Sequence, residues 1–145
     1  MARLFTLGEA ERLLPAVEKD LRLAIERKAG YENAQRRLAM ELRDLSMLGG
    51  AIPNTVKINT LKTQAEHALA ELKLALSSIE DHGCLLKDLD IGLIDFMTRY
   101  QGREVCLCWK LGEEGIHYWH GEHEGFRGRK PIDEDFLANH SADDT

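Results

Sequence analysis

The segment GIHYWHGEHEG, residues 115–125, carries the densest set of groups able to bind a metal or move a proton: His117, His120, His123, Glu122 and Glu124. A spacing of three residues would align the histidines on a helix, but the glycines and the aromatic pair at 118–119 make a helix improbable there. Side chains alternate along a strand, so His117 and His120 are expected on opposite faces. A site built from all three histidines is therefore not expected.

His120 remains the best candidate for a metal ligand or proton carrier, because it lies near the end of a predicted strand. Glu122, Glu113 or an aspartate of KDLDIGLID, such as Asp95, would complete the ligand set. The ion would be a divalent metal, zinc or manganese, and no other cofactor is indicated. The alternative is a structural or solvent-facing histidine, since the sequence has neither an HExxH cluster nor the residue order of a calcium loop.

Two further sites are open from the sequence. Cys106 and Cys108 share one face of a predicted strand and, with His120, would form a thiolate-rich zinc site. Their spacing is CxC rather than CxxC, however, and buried thiols usually pack as small apolar groups. The turn-rich stretch GFRGRK places Arg127 and Arg129 among glycines, where guanidinium groups bind phosphate or carboxylate. Equally, Arg129 would anchor the turn by pairing with an acidic neighbour.

Composition limits the classes of protein to consider. A chain of 145 residues with 43% hydrophobic and 30% charged residues fits one globular domain, or one domain with a protruding helical element. The formal net charge of −6 and the lack of a broad basic face argue against nucleic-acid binding. Short apolar runs broken by charges predict neither a signal peptide nor a membrane span. Three cysteines cannot all pair, which favours reduced thiols and the cytoplasm.

Two long helices are predicted to carry the first half of the chain. Thr6 and Glu9 match a capping box at a helix start, Pro15 predicts a kink, and Gly49–Gly50 predicts the helix end. A second helix should end near Gly83, which tolerates the left-handed cap conformation. A heptad seam, apolar except at two polar positions, Lys28 and Gln35, runs along the first helix: Leu14, Val17, Leu21, Ala24, Lys28, Tyr31, Gln35, Leu38, Leu42 and Leu45.

The two predicted helices differ in length, roughly 60 Å against about 37 Å. An antiparallel second helix therefore covers the first only back to about Ala24. Leu13, Leu14, Val17 and Leu21 must be buried by the C-terminal part of the chain or by a second chain. Isolated helical hairpins are only marginally stable, so a homodimer is expected.

From Cys84 onward the apolar period changes to two, which predicts a small antiparallel sheet. Gln101–Gly102 is a predicted tight turn between two strands, and GIHYWHG is a third strand. The expected organisation is a helical hairpin over residues 1–83 and a β unit over residues 84–132, packed on the base of helix one. An acidic, poorly ordered tail over residues 133–145 is expected to follow, with one short helical turn as the alternative within it.

Four ordered stretches together resemble one known family: FTLGEAERLLP, GCLLKDLDIGLIDF, CWKLGEEGIHYWH and GFRGRKP. They are similar to the uncharacterised bacterial proteins of domain-of-unknown-function family 2203, some of which carry the label division initiation protein. The resemblance runs from about Leu4 to Pro131 and implies a bacterial origin but no activity to transfer. It implies that four polar residues stand on family motif positions, whereas the family usually has other residues at Cys106 and His123. The four are His120, Glu113, Asp95 and Arg129.

The sequence thus predicts an α+β protein, with a long kinked antiparallel helical hairpin followed by a small three- to four-stranded antiparallel sheet. The leading hypothesis for its function is a non-catalytic cytosolic scaffold or adaptor that self-associates through the hairpin and binds itself or a protein partner. The alternative is a small metal-binding protein or metal-dependent hydrolase centred on His120, with Glu113 and Asp95 as further ligands and Arg129 holding an anionic substrate.

Overall fold

A computed structural model describes residues 3–47 and 55–143 of the chain. The chain forms helix α1 and helix α2, then strands β1 to β5 with a short 3-10 turn before β5, and finally helix α3. Their bounds are α1 Leu7–Met47, α2 Thr55–Asp81, β1 Leu85–Asp88, β2 Leu93–Tyr100, β3 Arg103–Lys110, β4 Tyr118–Gly121, the 3-10 turn Phe126–Gly128, β5 Lys130–Pro131 and α3 Glu134–Asn139. The α+β class and the helical hairpin followed by an antiparallel sheet are confirmed.

The chain divides into two compact units. The hairpin unit comprises Arg22–Leu76, and the sheet unit comprises the chain up to Leu21 and from Ser77 onward. The first turns of α1 and the last of α2 thus belong with the sheet, so the predicted boundary at residue 83 does not coincide with the division into units. The predicted turn at Gly49–Gly50 lies outside the described residues.

Helix α1 begins at the predicted capping box. The Thr6 backbone N–H donates to Glu9 Oε1 at 2.9 Å, and the Glu9 backbone N–H donates to Thr6 Oγ1 at 3.2 Å. These reciprocal bonds hold the pKa of Glu9 below its usual value, with the Thr6 backbone bond as the main cause. Pro15 lies inside α1, and the kink expected there stays a prediction.

The side chains of α1 expected to need cover are buried within the sheet unit. Leu14 is 8% exposed, Val17 and Leu21 are fully buried, and Leu13 is only half-buried. No second chain is required to bury them, so the sequence-based reason for a homodimer does not apply to this part of the helix.

In the hairpin unit the buried stripe of α1 departs from the predicted heptad register. Gln35 and Leu42 are exposed, while Ala34 is buried and Glu41 is half-buried. An α-helix has 3.6 rather than 3.5 residues per turn, so a fixed heptad position drifts by about 20° per repeat. Two ion pairs join the helices, Arg27 to Glu71 and Lys57 to Glu41, each with an N–O distance of 3.0 Å.

Helix α2 ends where the sequence predicted. Its last residue is Asp81, and Gly83 follows with φ of 94° while its N–H donates to the Glu80 carbonyl at 2.9 Å. The left-handed conformation satisfies a carbonyl at the helix end and turns the chain toward β1.

The sheet has five antiparallel strands in the order β1-β2-β3-β4-β5, rather than three or four. The predicted turn between β2 and β3 is confirmed, with positive φ at both Gln101 (54°) and Gly102 (75°), as a type I′ hairpin requires. The strands missed from sequence are the two outermost, β1 and β5. They are short, at four and two residues, and carry too few positions to show an alternating pattern.

Three separate segments complete the outer edge of β2. Strand β1 pairs with its first half, beginning with Leu85 opposite Asp95. Leu4 forms a bridge with Met97, and the Phe5 N–H donates to the Met97 carbonyl at 2.7 Å. Ser141 exchanges two backbone hydrogen bonds with Arg99, of 2.9 and 2.8 Å.

Residues 133–143 contradict the expectation of a poorly ordered tail. Asp133 caps helix α3 by accepting a hydrogen bond from the Phe136 N–H at 2.8 Å. The Phe136 ring is fully buried, with ring centroids 4.6 Å from Tyr100 and 5.0 Å from Trp119. One buried aromatic residue therefore anchors an otherwise acidic segment.

Candidate functional site

The register of three strands brings together the polar residues of the candidate site. Asp95 on β2 lies opposite Cys108 on β3, and Cys106 on β3 lies opposite His120 on β4. Residues two apart on a strand share a face, so all four side chains project from one face of the sheet. Asp95 and His120 were predicted to belong to one site, and the structure does bring them together.

Asp95 and His120 form a buried pair. Nε2 of His120 lies 3.1 Å from Oδ1 of Asp95, and the two side chains are 2% and 1% exposed, respectively. The other ring nitrogen, Nδ1, lies 2.7 Å from the carbonyl oxygen of Gly121. Both nitrogens of His120 are therefore engaged by oxygen atoms.

These contacts define where the protons lie. A carbonyl oxygen only accepts, so Nδ1 of His120 carries a hydrogen and donates it to Gly121. In a neutral imidazole, Nε2 would then present a lone pair to Asp95, and two acceptors would face each other. A cation must lie between the two atoms, either a proton or a metal ion.

The electrostatics of the pair favour a proton at neutral pH when no metal is bound. Burial by itself lowers the pKa of His120, but hydrogen bonds with Asp95, Cys108 and the Gly121 backbone outweigh it and raise that pKa to about 10. The buried pair is then an imidazolium and a carboxylate with no net charge. Because its nitrogens are both occupied, His120 is poorly placed to act as a base toward a third group.

Cys106 completes a cluster that the sequence analysis did not assemble. Its thiol sulfur, a ring nitrogen of His120 and a carboxylate oxygen of Asp95 all lie within 4.8 Å of one another, and all three residues are buried. Burial, followed by the negative charge of Asp95, raises the pKa of Cys106 to about 12, so the group is a thiol rather than a nucleophilic thiolate. The sequence grouped Cys106 with Cys108 and His120, and the strand registers show that Asp95 is the carboxylate beside Cys106 and His120.

A cavity of about 210 Å³ adjoins the cluster. Cys106 forms part of its wall, and charged side chains of both signs surround it. The lining residues are Leu4, Leu85, Lys87, Met97, Glu104, Cys106 and Glu122.

Glu113, predicted as a third metal ligand, is held elsewhere. Both of its carboxylate oxygens accept from Nη2 of Arg129, at 2.8 and 2.7 Å, and Oε1 also accepts from the Lys110 N–H at 2.7 Å. The Arg129 guanidinium stacks over the rings of Tyr118 and Phe126, with centroid distances of 4.1 and 4.7 Å. This arrangement matches the alternative in which Arg129 anchors the turn.

The predicted anion site is not assembled as a pair of open guanidinium groups. Arg127 is exposed on the 3-10 turn, whereas the Arg129 side chain is 12% exposed and occupied by Glu113. Nε of Arg129 is buried and has no hydrogen-bond partner among the described residues. Of the remaining candidates, His117, Glu122 and His123 are exposed, as expected for side chains outside a three-histidine site.

Comparison with known proteins gives one match. A family model described as Uncharacterized conserved protein (DUF2203) matches residues 3–132, and the chain belongs to this family. No curated protein and no solved structure matches the chain. Neither of the long helices, over the residues that the structure describes, has a stretch apolar enough to cross a membrane.

Proposed function

We propose that this member of an uncharacterised family is a non-catalytic scaffold or adaptor of the cytoplasm that self-associates through its hairpin unit. The observation that carries the proposal is the concentration of exposed apolar side chains on that unit. Six of the nine large hydrophobic side chains that are exposed among the described residues lie there: Leu23, Met40, Leu42, Met47, Val56 and Leu74, with exposures of 40 to 79%.

Met40 and Met47 form the part of this surface that is best suited to pair with a second helix. They are 53% and 79% exposed and lie seven residues apart, two helical turns or about 10 Å along one side of α1. Exposed apolar groups repeated at this spacing are typical of a helix that pairs with another helix. The seam between α1 and α2 is lined largely by small side chains, among them Ala34, Ala65 and Ala75, and two helices alone form a marginal core.

Light scattering and sedimentation at micromolar concentration test this proposal. The expected result is a dimer that dissociates in the double variant Met40→Glu/Met47→Glu, because four carboxylates would meet across the interface. Both positions are exposed, so circular dichroism and the melting temperature should change little. Leu137→Glu is the matched control, since Leu137 is 49% exposed but lies on α3 in the sheet unit. A strictly monomeric wild-type protein, or a dimer unaffected by the double variant, would overturn the proposal.

The buried pair of Asp95 and His120 favours a second candidate function, binding of a divalent metal ion. The two facing acceptor atoms require a cation between them, and a histidine whose second nitrogen donates to a carbonyl is the usual form of a metal ligand. Both side chains are almost fully buried, so we propose metal binding rather than hydrolysis. Glu113 is not part of this proposal because Arg129 occupies both of its oxygens.

Metal analysis of protein purified without a histidine tag tests the second candidate. One equivalent of zinc or manganese per chain is expected after equilibration and removal of free ion, and His120→Ala should abolish it. His123→Ala is the control, since His123 is exposed and outside the cluster. Failure of the wild-type protein to retain either ion would refute metal binding and leave the scaffold proposal intact.

A further inference from the structure

We infer that Cys106 is the third ligand of this site, and that Asp95, Cys106 and His120 together select a thiophilic divalent cation of the zinc class. The inference rests on the metal-binding candidate proposed above and adds the ligand and the type of ion to it. Cys106 is one of three buried free thiols in the chain.

The geometry of the cluster fits a tetrahedral ion with modest adjustment. Zinc bonds of about 2.0–2.3 Å place neighbouring tetrahedral ligands about 3.3–3.8 Å apart. The three ligand atoms already lie within 4.8 Å of one another, and the His120–Asp95 distance of 3.1 Å needs to lengthen by only a few tenths of an ångström. Side-chain rotations of this size leave the strand register unchanged.

The proposed ligand set balances the charge of a divalent ion. A neutral imidazole, a carboxylate and a thiolate together carry two negative charges, which sum to zero with the ion. A site of this composition therefore leaves no uncompensated charge buried in the sheet.

The cavity beside Cys106 supplies a route to the site. It holds about 210 Å³, and its wall includes the carboxylates of Glu104 and Glu122. The wall also carries Lys87, so two carboxylates and one ammonium give it a net negative charge that attracts a hydrated cation. A water molecule retained from the cavity would provide the fourth ligand.

The donor set decides between zinc and manganese. Thiolate ligands favour zinc and cobalt over manganese, magnesium and calcium, which prefer oxygen ligands. A site of Asp95 and His120 alone would not discriminate between zinc and manganese, whereas a site that includes Cys106 favours zinc over manganese.

Cobalt substitution gives a direct test, because a thiolate bound to Co²⁺ produces an intense near-ultraviolet charge-transfer band. We expect the wild-type protein to bind one Co²⁺ with this band and to lose the band when Zn²⁺ is added. Cys106→Ser should lose the band and bind zinc at least tenfold more weakly. Cys84→Ser is the matched control, since the Cys84 thiol is buried and donates to the Ile79 carbonyl at 3.4 Å.

The outcomes separate this inference from the proposal on which it rests. No Co²⁺ or Zn²⁺ binding by the wild-type protein refutes metal binding altogether. One bound equivalent without a charge-transfer band, or a band that persists in Cys106→Ser and disappears in Cys108→Ser, refutes Cys106 as the ligand while metal binding stands. The wild-type protein alone shows whether a metal ion binds, so this result does not depend on whether the variants fold.

Discussion

The buried pair of His120 and Asp95 makes a quantitative prediction about stability. Asp95→Asn should lower the free energy of unfolding by about 3–5 kcal/mol near pH 6, because the buried imidazole must then either carry a charge without its partner or give up its proton. The rise of the His120 pKa from 6.5 to about 10 gives a second figure. At 1.36 kcal/mol per pKa unit it corresponds to at most about 5 kcal/mol. The two routes agree in magnitude.

The direction of the His120 pKa shift determines how the free energy of unfolding changes with pH. The folded-state pKa of His120 lies above its unfolded value, so the stabilisation is complete below about pH 6.5 and is lost as the pH rises toward 10. In Asp95→Asn the imidazole is buried without a counter-charge, so burial lowers its pKa and stability should rise with pH between about 5 and 7. The difference in unfolding free energy between the two proteins should therefore be largest near pH 5.5 and shrink by pH 9.

Urea unfolding in the presence of a chelator, at several pH values, measures this difference for the metal-free protein. His82 and Asp20 provide the matched control: their side chains are 24% and 27% exposed, with a distance of 2.7 Å between Nε2 and Oδ2. Asp20→Asn should cost only about 0–1 kcal/mol, since solvent screens the pair. Equal costs for the two variants, or a cost for Asp95→Asn that does not change with pH, would refute the reasoning.

Three further predictions concern packing and the glycine-rich turn. Gly92→Ala should lower the free energy of unfolding in urea by about 2–4 kcal/mol, because the new Cβ would lie 2.6 Å from the Leu111 Cβ at a φ of 71°. Gly102→Ala should lower it less, because Gly102 also has a positive φ but no atom lies close to the new Cβ. Phe136→Ala should lower the free energy of unfolding by about 3–5 kcal/mol, measured in the same way, and no loss would mean that α3 is not anchored. Sulfate should raise the melting temperature more than chloride at equal ionic strength if Arg127 binds anions, and Arg127→Ala should remove that difference.

Features set by neighbouring residues could be predicted from the sequence. The capping box of Thr6 and Glu9, the left-handed Gly83 and the Gln101–Gly102 turn each depend on a few adjacent positions, and all three were confirmed. The change of apolar period after Cys84 likewise identified the start of the sheet. Local patterns suffice in these cases because the backbone conformation follows from the residue types themselves.

Features set by distant contacts could not be predicted in the same way. The outermost strands β1 and β5 exist because they pair with longer strands, and α3 exists because Phe136 fits between Tyr100 and Trp119. Ala34 is buried where the heptad pattern predicted Gln35. The reason is that a fixed heptad position drifts around an α-helix as the repeats accumulate.

The candidate site shows the same limit. The sequence identified His120 and Asp95 as candidates, and the structure places them 3.1 Å apart. Cys106 was considered with Cys108 and His120 but not with Asp95, because its nearness to Asp95 depends on the registers of β2 with β3 and of β3 with β4. Glu113 has a carboxylate that could bind a metal ion, but both of its oxygens accept hydrogen bonds from Arg129.

The shared edge of β2 places the first and last described segments of the chain side by side. Leu4 and Ser141 pair with Met97 and Arg99, which are only two residues or about 7 Å apart along the strand. A short peptide could therefore connect these segments and permit a circular permutation with new ends opened at the Gln101–Gly102 turn.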